Sequence, residues 1–314
     1  MAATIKQSST TSPFNFLKEG LLLPSQNRRL FAAIFTISVT FYSLFLAASE
    51  LGVQRLALQV RRDIDALDHT DRRSPGYGHL LRELHEDSRD FLLASAAYLL
   101  LAVLVGSVTN LVAIFAAVRT YSGEVHTFGS LLGKARAQLM GPVLTLAFVY
   151  TLEITGVALL LALAALFVFL AFKRYLGLLL ADSLLLLVAY IFFVYLSFVC
   201  SLGIVVAVAE PGTHGAGAVG RAWQLMKGKQ RRAMLLITVT GVLAAVFSPF
   251  YWLTKIFAHS KMASGALFLG FLYSVQMAAV ELFNICTLTA LYHECKERYQ
   301  AQVTEYVKLP VQDV

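Results

Sequence analysis

Six runs of apolar residues, each about as long as a bilayer is thick in helical residues, dominate this chain. They lie near Leu30–Ser49, Phe91–Val118, Val143–Phe172, within Leu176–Ala209, Ala233–Ile256 and Ala263–Tyr292. About 20 apolar residues in a helix cross the roughly 30 Å hydrocarbon layer of a membrane. A soluble core of this size cannot hide several such runs. Charge is correspondingly scarce, at 14% of 314 residues against 58% hydrophobic, where soluble domains carry about 25% charged residues. The expected fold is therefore all-α and polytopic: six transmembrane helices, two interfacial amphipathic helices and an extramembrane helical hairpin.

Between the runs the sequence supplies turns and interfacial elements. Residues 1–29 form a polar tail that holds a short apolar stretch, Phe14 to Leu23, and Pro24 is expected to end it. The segment 50–90 is the sizeable hydrophilic one. Leu56, Val60, Ile64 and Leu67 recur at helical spacing, with Arg61/Asp65 as an i,i+4 pair. Ser74-Pro75-Gly76 marks a turn, so 50–90 reads as a hairpin whose arms extend the first two spans. His126 to Met140 is an amphipathic segment closed by Gly141-Pro142, and Ala216 to Lys229 is a second. In the latter, Val219, Trp223, Leu225 and Met226 oppose Arg221, Gln224, Lys227 and Lys229. Pro249 is expected to kink the fifth span or end it early. A charged tail, 293–314, follows the sixth span.

The net charge of +7 would suggest nucleic acid in a soluble protein. Here the basic residues sit between apolar runs, where they set topology and meet anionic lipid headgroups. No basic stripe interleaved with aromatics is present, so nucleic acid is not an expected partner. With six spans, the N-tail, the 119–141 and 210–232 loops and the C-tail share a side holding fifteen Lys and Arg. The other side holds eleven, and its large loop also carries nine acids. The positive-inside rule then puts both termini in the cytosol and the 50–90 hairpin in a lumen or outside. The membrane is the plasma membrane or one of the endomembrane system. The order span, amphipathic helix, span occurs at 91–172 and again at 176–256. That fits a degenerate parallel repeat, or simply a basic re-entry before each span.

The run Glu210-Pro211-Gly212 followed by Ala218-Val219-Gly220-Arg221-Ala222-Trp223-Gln224-Leu225-Met226-Lys227-Gly228 resembles a signature of multi-pass domains. It is similar to the membrane domain attached to some bacterial glycerophosphodiester phosphodiesterases and to related stand-alone bacterial membrane proteins. The overall layout resembles uncharacterised plant six-span proteins, with Phe16-Leu17-Lys18-Glu19, Arg28-Arg29 and Leu291-Tyr292-His293-Glu294-Cys295-Lys296 as matching features. The resemblance implies a membrane fold and little chemistry. The phosphodiesterase barrel is a separate domain, and no catalytic residue carries over.

Chemistry has few footholds. Gly215-Ala216-Gly217-Ala218-Val219-Gly220 matches Gly-x-Gly-x-x-Gly, but it follows an apolar run with no βαβ pattern around it. Close packing of small residues is the better reading. Glu153, Asp182 and Glu281 fall within apolar runs. An acid in hydrocarbon faces the bundle interior or water, so each is read either as part of a proton or cation path or as an interhelical contact with Tyr, Ser, Asn284 or Gln276. The hairpin acids and histidines (Asp63, Asp65, Asp68, His69, Asp71, His79, His85, Glu86, Asp87) have neither EF-hand nor His-Glu-x-x-His spacing and read as a solvated face. Cys200, Cys286 and Cys295 form no Cys-x-x-Cys pair; Cys295, beside Lys296, is placed as a palmitoylation position or a free thiol. No nucleophile stands beside a base, and no cofactor is expected. The sequence thus points to a non-enzymatic scaffold, packing partner or trafficking-related factor whose partners are the lipid bilayer and other membrane proteins. Its oligomeric state is left open. The alternative is a small-solute or ion transporter using the intramembrane acids.

Overall fold

The computed structural model describes residues 14–70, 76–123, 140–259 and 263–308, with Gly129 and Gly133. Among them there is no strand. In chain order the helices are α1 (Asn15–Gln26), α2 (Arg28–Ala48), α3 (Gln54–Asp68), α4 (Tyr77–Tyr121), α5 (Met140–Lys173), α6 (Leu176–Ala209), α7 (Ala216–Met226), α8 (Gln230–His259) and α9 (Ala263–Lys308). A π turn, Ser49–Val53, joins α2 to α3. Among the described residues, six helices are long and apolar enough to cross a membrane. Little of the apolar stretch of α5 is buried in protein. Its exposed leucines and phenylalanines, Leu159, Leu161 and Phe169 among them, are at home in lipid and would be an aggregation surface in water.

The chain divides into two compact units, with boundaries falling inside α2, α4, α8 and α9. The first comprises residues 1–31, 112–242 and 282–314. Its core is built where α6 meets α7. Val199, Cys200, Leu202 and Val205 are fully buried on α6, as are Ala218, Ala222 and Met226 on α7. Small residues let these backbones approach: Val219 lies against Gly203. The glycines of the Gly215–Gly220 run do not supply this contact: Gly217 and Gly220 are exposed with nothing close to them, and Gly203 of α6 and the alanines of α7 do the packing instead. A helix already solvated by lipid tails gains little from apolar burial, so close van der Waals contact at small residues takes its place. Onto the same core α1 lays Phe16, Gly20 and Leu23, spaced one helical face apart and all buried. A Cβ built on Gly20 would stand 2.6 Å from the Thr287 Cα of α9.

The second unit comprises residues 32–111 and 243–281. Here α2, α4 and α9 meet through aromatic rings and small residues. Phe45 packs on Tyr98 at 4.2 Å between centroids, and the Tyr98 hydroxyl donates to the Phe45 carbonyl at 3.1 Å. Gly270 of α9 admits Leu46 of α2. The two arms of the hydrophilic hairpin are α3 and the start of α4, tied by the Gln59 amide donating to Asp87 at 2.7 Å. Arg61 and Asp65 form no ion pair among the described residues. The turn at 71–75 lies outside those residues.

Several boundaries differ from the sequence reading. Pro24 sits inside α1, near its end, and does not stop it. Gly141-Pro142 forms the first turn of α5, where a proline sacrifices no intrahelical bond; the segment it was expected to close lies outside the described residues. Pro249 leaves α8 running on to His259. Proline removes the donor that would reach the carbonyl four residues back, Ala245, and the Ser248 hydroxyl donates to that carbonyl at 3.1 Å instead. α9 continues helically past Tyr292 to Lys308, so the charged stretch after the sixth apolar run is helical as far as that residue. The amphipathic segment expected at 126–140 falls almost wholly outside the described residues, and with it the comparison between the two halves of the supposed repeat.

Replacing Gly20 by Ala is expected to lift α1 off α9, because neither backbone at this contact can yield a few tenths of an ångström cheaply. The cost is about 1–3 kcal/mol, read as a lower melting temperature in detergent and faster proteolysis within residues 15–26. Leu21→Ala, on the exposed face of the same helix, should change neither.

Candidate functional site

A group of polar residues of the first unit gathers where α1, the last turn of α4, the first turn of α5, the end of α6, α7, the start of α8 and the second half of α9 converge. Glu210 is the centre. It follows Ala209 in an extended conformation, with its N–H still bonded to the Val206 carbonyl at 2.8 Å. Its carboxylate accepts from the Tyr292 hydroxyl at 2.8 Å and pairs with Lys296 at 3.2 Å, both on α9. The Arg221 guanidinium of α7 lies 3.7 Å away and also covers the Tyr299 ring at 4.7 Å. Tyr292 and Lys296 are one helical turn apart, so one face of α9 presents both to the same oxygen. Burial pushes the Glu210 carboxyl upward, but the Tyr292 and Lys296 hydrogen bonds and the Lys296 and Arg221 charges outweigh it, holding the group below its ordinary value of 4.5.

A second cluster adjoins the first. Glu294 pairs with Arg232 at the start of α8 and with Arg298 at 3.1 Å. The Lys229 ammonium donates to the Cys295 carbonyl at 3.2 Å. A third contact brings in α1 and α4: the Tyr121 hydroxyl donates to Glu19 at 3.2 Å, and its ring stacks on His293 at 4.2 Å. The entrance to α7 is fixed from α5. Gly215 adopts φ +58, a conformation that side-chain-bearing residues rarely take, and its N–H donates to the Thr145 hydroxyl at 2.9 Å. Next to it a cavity of about 230 Å³ is lined by Phe115, Pro142, Val208, Gly212 and His214. Among the described residues no hydrogen bond or ion pair joins His214 to Glu210, and His126 lies outside those residues.

The structure sorts the residues singled out in the sequence. Of the four on the amphipathic helix, Arg221 and Lys229 turn inward to protein partners, while Trp223 is 44% exposed and Lys227 is exposed. The helix is thus docked on α6 along one face. Cys295 is wholly buried, as are Cys200 and Cys286. Acylation at Cys295 would require this stretch of α9 to leave Lys229 and Arg232, so the folded chain does not present it as a palmitoylation position. Each of the three intramembrane acids is placed within its own unit. Glu153 accepts from the Ser197 hydroxyl at 3.1 Å within the first unit. Glu281 accepts from the Tyr42 hydroxyl at 2.6 Å within the second. Asp182, also in the first, is 5% exposed, and both its carboxylate oxygens are buried with no partner among the described residues. Asn284 accepts from Thr240 instead, at 3.5 Å. Among the described residues no group of acids, histidines and cysteines is placed to hold a metal.

The sequence reading did not select Tyr292, Glu294, Lys296 or Arg232. A signal was there. Tyr292/Lys296 and Glu294/Arg298 are two i,i+4 pairs just past an apolar run, and an acid closes another span on the same side.

The model of the family described as "Domain of unknown function (DUF8558)" matches residues 6–308. The chain belongs to that family. Neither a curated protein nor a solved structure matches it. The matched range takes in all of the clusters described above, from Glu19 to Arg298.

Glu210→Gln should remove both ion pairs and cost about 2–3 kcal/mol, seen as a lower melting temperature in detergent near neutral pH. The pH dependence has a definite sign. A carboxyl held below its ordinary value contributes stability above about pH 4.5, and that contribution fades as pH falls through the lower folded value. The wild-type protein should therefore lose stability in that acid range faster than Glu210→Gln does. Parallel acid profiles for the two proteins would remove Glu210 as the titrating group.

Proposed function

We propose that this protein is a non-enzymatic multi-pass membrane scaffold or packing partner, of a kind suited to membrane trafficking. The observation that carries the reading is the use made of Glu210. A carboxylate with two cations and a phenol beside it has the ingredients of a reactive centre, yet each of these groups is spent on joining α6, α7 and α9. A rigid polar end anchored on several helices is what a docking platform needs. Other membrane proteins and the lipid bilayer are the partners this reading implies, and nucleic acid is not among them. The Lys and Arg distribution supports a cytosolic position for both termini, in the plasma membrane or an endomembrane, with the α3–α4 hairpin on the far side.

Asp182 supports a second reading, a small-solute or ion transporter. A buried carboxyl without a partner in an apolar helix is a default marker of an ion or proton route, and Glu153 lies in the same unit. One experiment divides the two. Protein reconstituted in liposomes should pass no more protons or solute than empty vesicles, while proximity labelling in the native membrane returns a restricted set of membrane proteins. Flux that is present and disappears in Asp182→Asn, Glu153→Gln or Glu281→Gln would replace the scaffold by the transporter.

Orientation has its own check. A protease added to sealed vesicles with their cytosolic face outward should remove tags from both termini and leave the 50–90 hairpin intact. Protection of both tags would reverse the assignment.

A further inference from the structure

We propose that the outward face of α7 and the first turn of α8 form a site for an anionic phospholipid headgroup, with Lys227 and Arg231 on the phosphate and Trp223 seated at the level where headgroup meets acyl chain. The turn between the two helices carries four cations, and the fold divides them. Lys229 is drawn inward to the Cys295 carbonyl, and Arg232 to Glu294. Those two contacts fix the register of the turn, which reverses at Gly228 with φ +80. Lys227 and Arg231 are left exposed, and among the described residues neither side chain has a hydrogen-bond or ion-pair partner.

What lies next to these two cations names the occupant. On α7 the buried residues are Ala218, Ala222, Leu225 and Met226, so Gly220, Trp223, Gln224 and Lys227 form the opposite, outward stripe. Trp223 meets Tyr195 of α6 edge to face at 5.5 Å, and amphipathic rings of this kind settle at the membrane–water boundary. On α8 Arg231 heads an exposed stripe that continues through Met234, Thr238 and Val242, the apolar part of which faces acyl chains. The α8 stripe therefore runs from exposed apolar residues to Arg231, and the α7 stripe runs from Trp223 to Lys227. A ligand that spans both must be apolar at one end and negatively charged at the other, which is an anionic phospholipid of the surrounding leaflet. The site depends only on membrane insertion and stands apart from the choice between scaffold and transporter.

The test uses the chain's two tryptophans. Trp252→Phe leaves Trp223 as the sole emitter in the full-length protein. This variant is placed in phosphatidylcholine nanodiscs containing a minor fraction of either brominated phosphatidylserine or brominated phosphatidylcholine, whose acyl bromines quench a nearby indole. Brominated phosphatidylserine should be enriched at Trp223 by roughly tenfold or more, two interfacial cations each favouring an anionic lipid severalfold. The enrichment should decline as salt is raised. Lys227→Gln with Arg231→Gln should bring the two lipids to parity, and the charge-keeping pair Lys227→Arg with Arg231→Lys should preserve the difference. Equal quenching by both lipids in the Trp252→Phe protein would overturn the proposal. So would an enrichment that survives the double glutamine variant.

Discussion

A carboxylate at the end of α6 sets the arrangement of the first unit. Glu210 receives a hydroxyl and an ammonium from one face of α9 and a guanidinium from α7, so it ties three helices at one point. Such a contact matters more in a membrane protein than its count of bonds suggests. Helices surrounded by lipid tails gain little by burying apolar area against one another, and specific polar contacts and close small-residue packing decide which helix faces which. Both devices meet here. Gly203 and the buried alanines of α7 seat it on α6, and Glu210 then fixes where α9 ends its approach.

The same logic explains how charge is handled along this end. Glu294, Arg232 and Arg298 satisfy one another, Lys229 takes a carbonyl, and the Tyr121 ring covers His293 while its hydroxyl reaches Glu19. Partly buried ions are tolerable when paired and hydrogen-bonded. Once these demands are met, the cations that remain exposed at the α7–α8 turn stand out by contrast. Charge that the fold consumes reads as structure, and charge that it leaves outward reads as a surface for something else.

Much of the architecture was legible before the coordinates. Apolar run length alone predicts the spans, because a helix that crosses hydrocarbon must carry its own hydrogen bonds and an apolar surface for its full length. The expected Tyr and Ser partners of the intramembrane acids were also legible: Glu281 found Tyr42, and Glu153 found Ser197. Proline was the weaker guide. Pro249 was expected to kink the fifth span or end it early, but α8 runs on and a neighbouring serine hydroxyl takes the carbonyl that proline leaves. The charged stretch after Tyr292 finds partners in Glu210, Arg232 and Arg221 that its local pattern does not name.

Sequence by itself determined the class of this protein, all-α and polytopic with six helices able to cross a bilayer, since hydropathy and length are properties of each segment taken alone. It also determined which residues were unusual there: the three intramembrane acids and the acid at the end of the fourth span. Tertiary structure decided which of them acquired partners, which cations of one short turn faced inward, and whether Cys295 was open to modification. Those outcomes depend on distances between segments up to 239 residues apart, as from Tyr42 to Glu281. Local pattern carries no record of such distances, because hydropathy ranks a residue by its preferred solvent and not by the neighbour it finds.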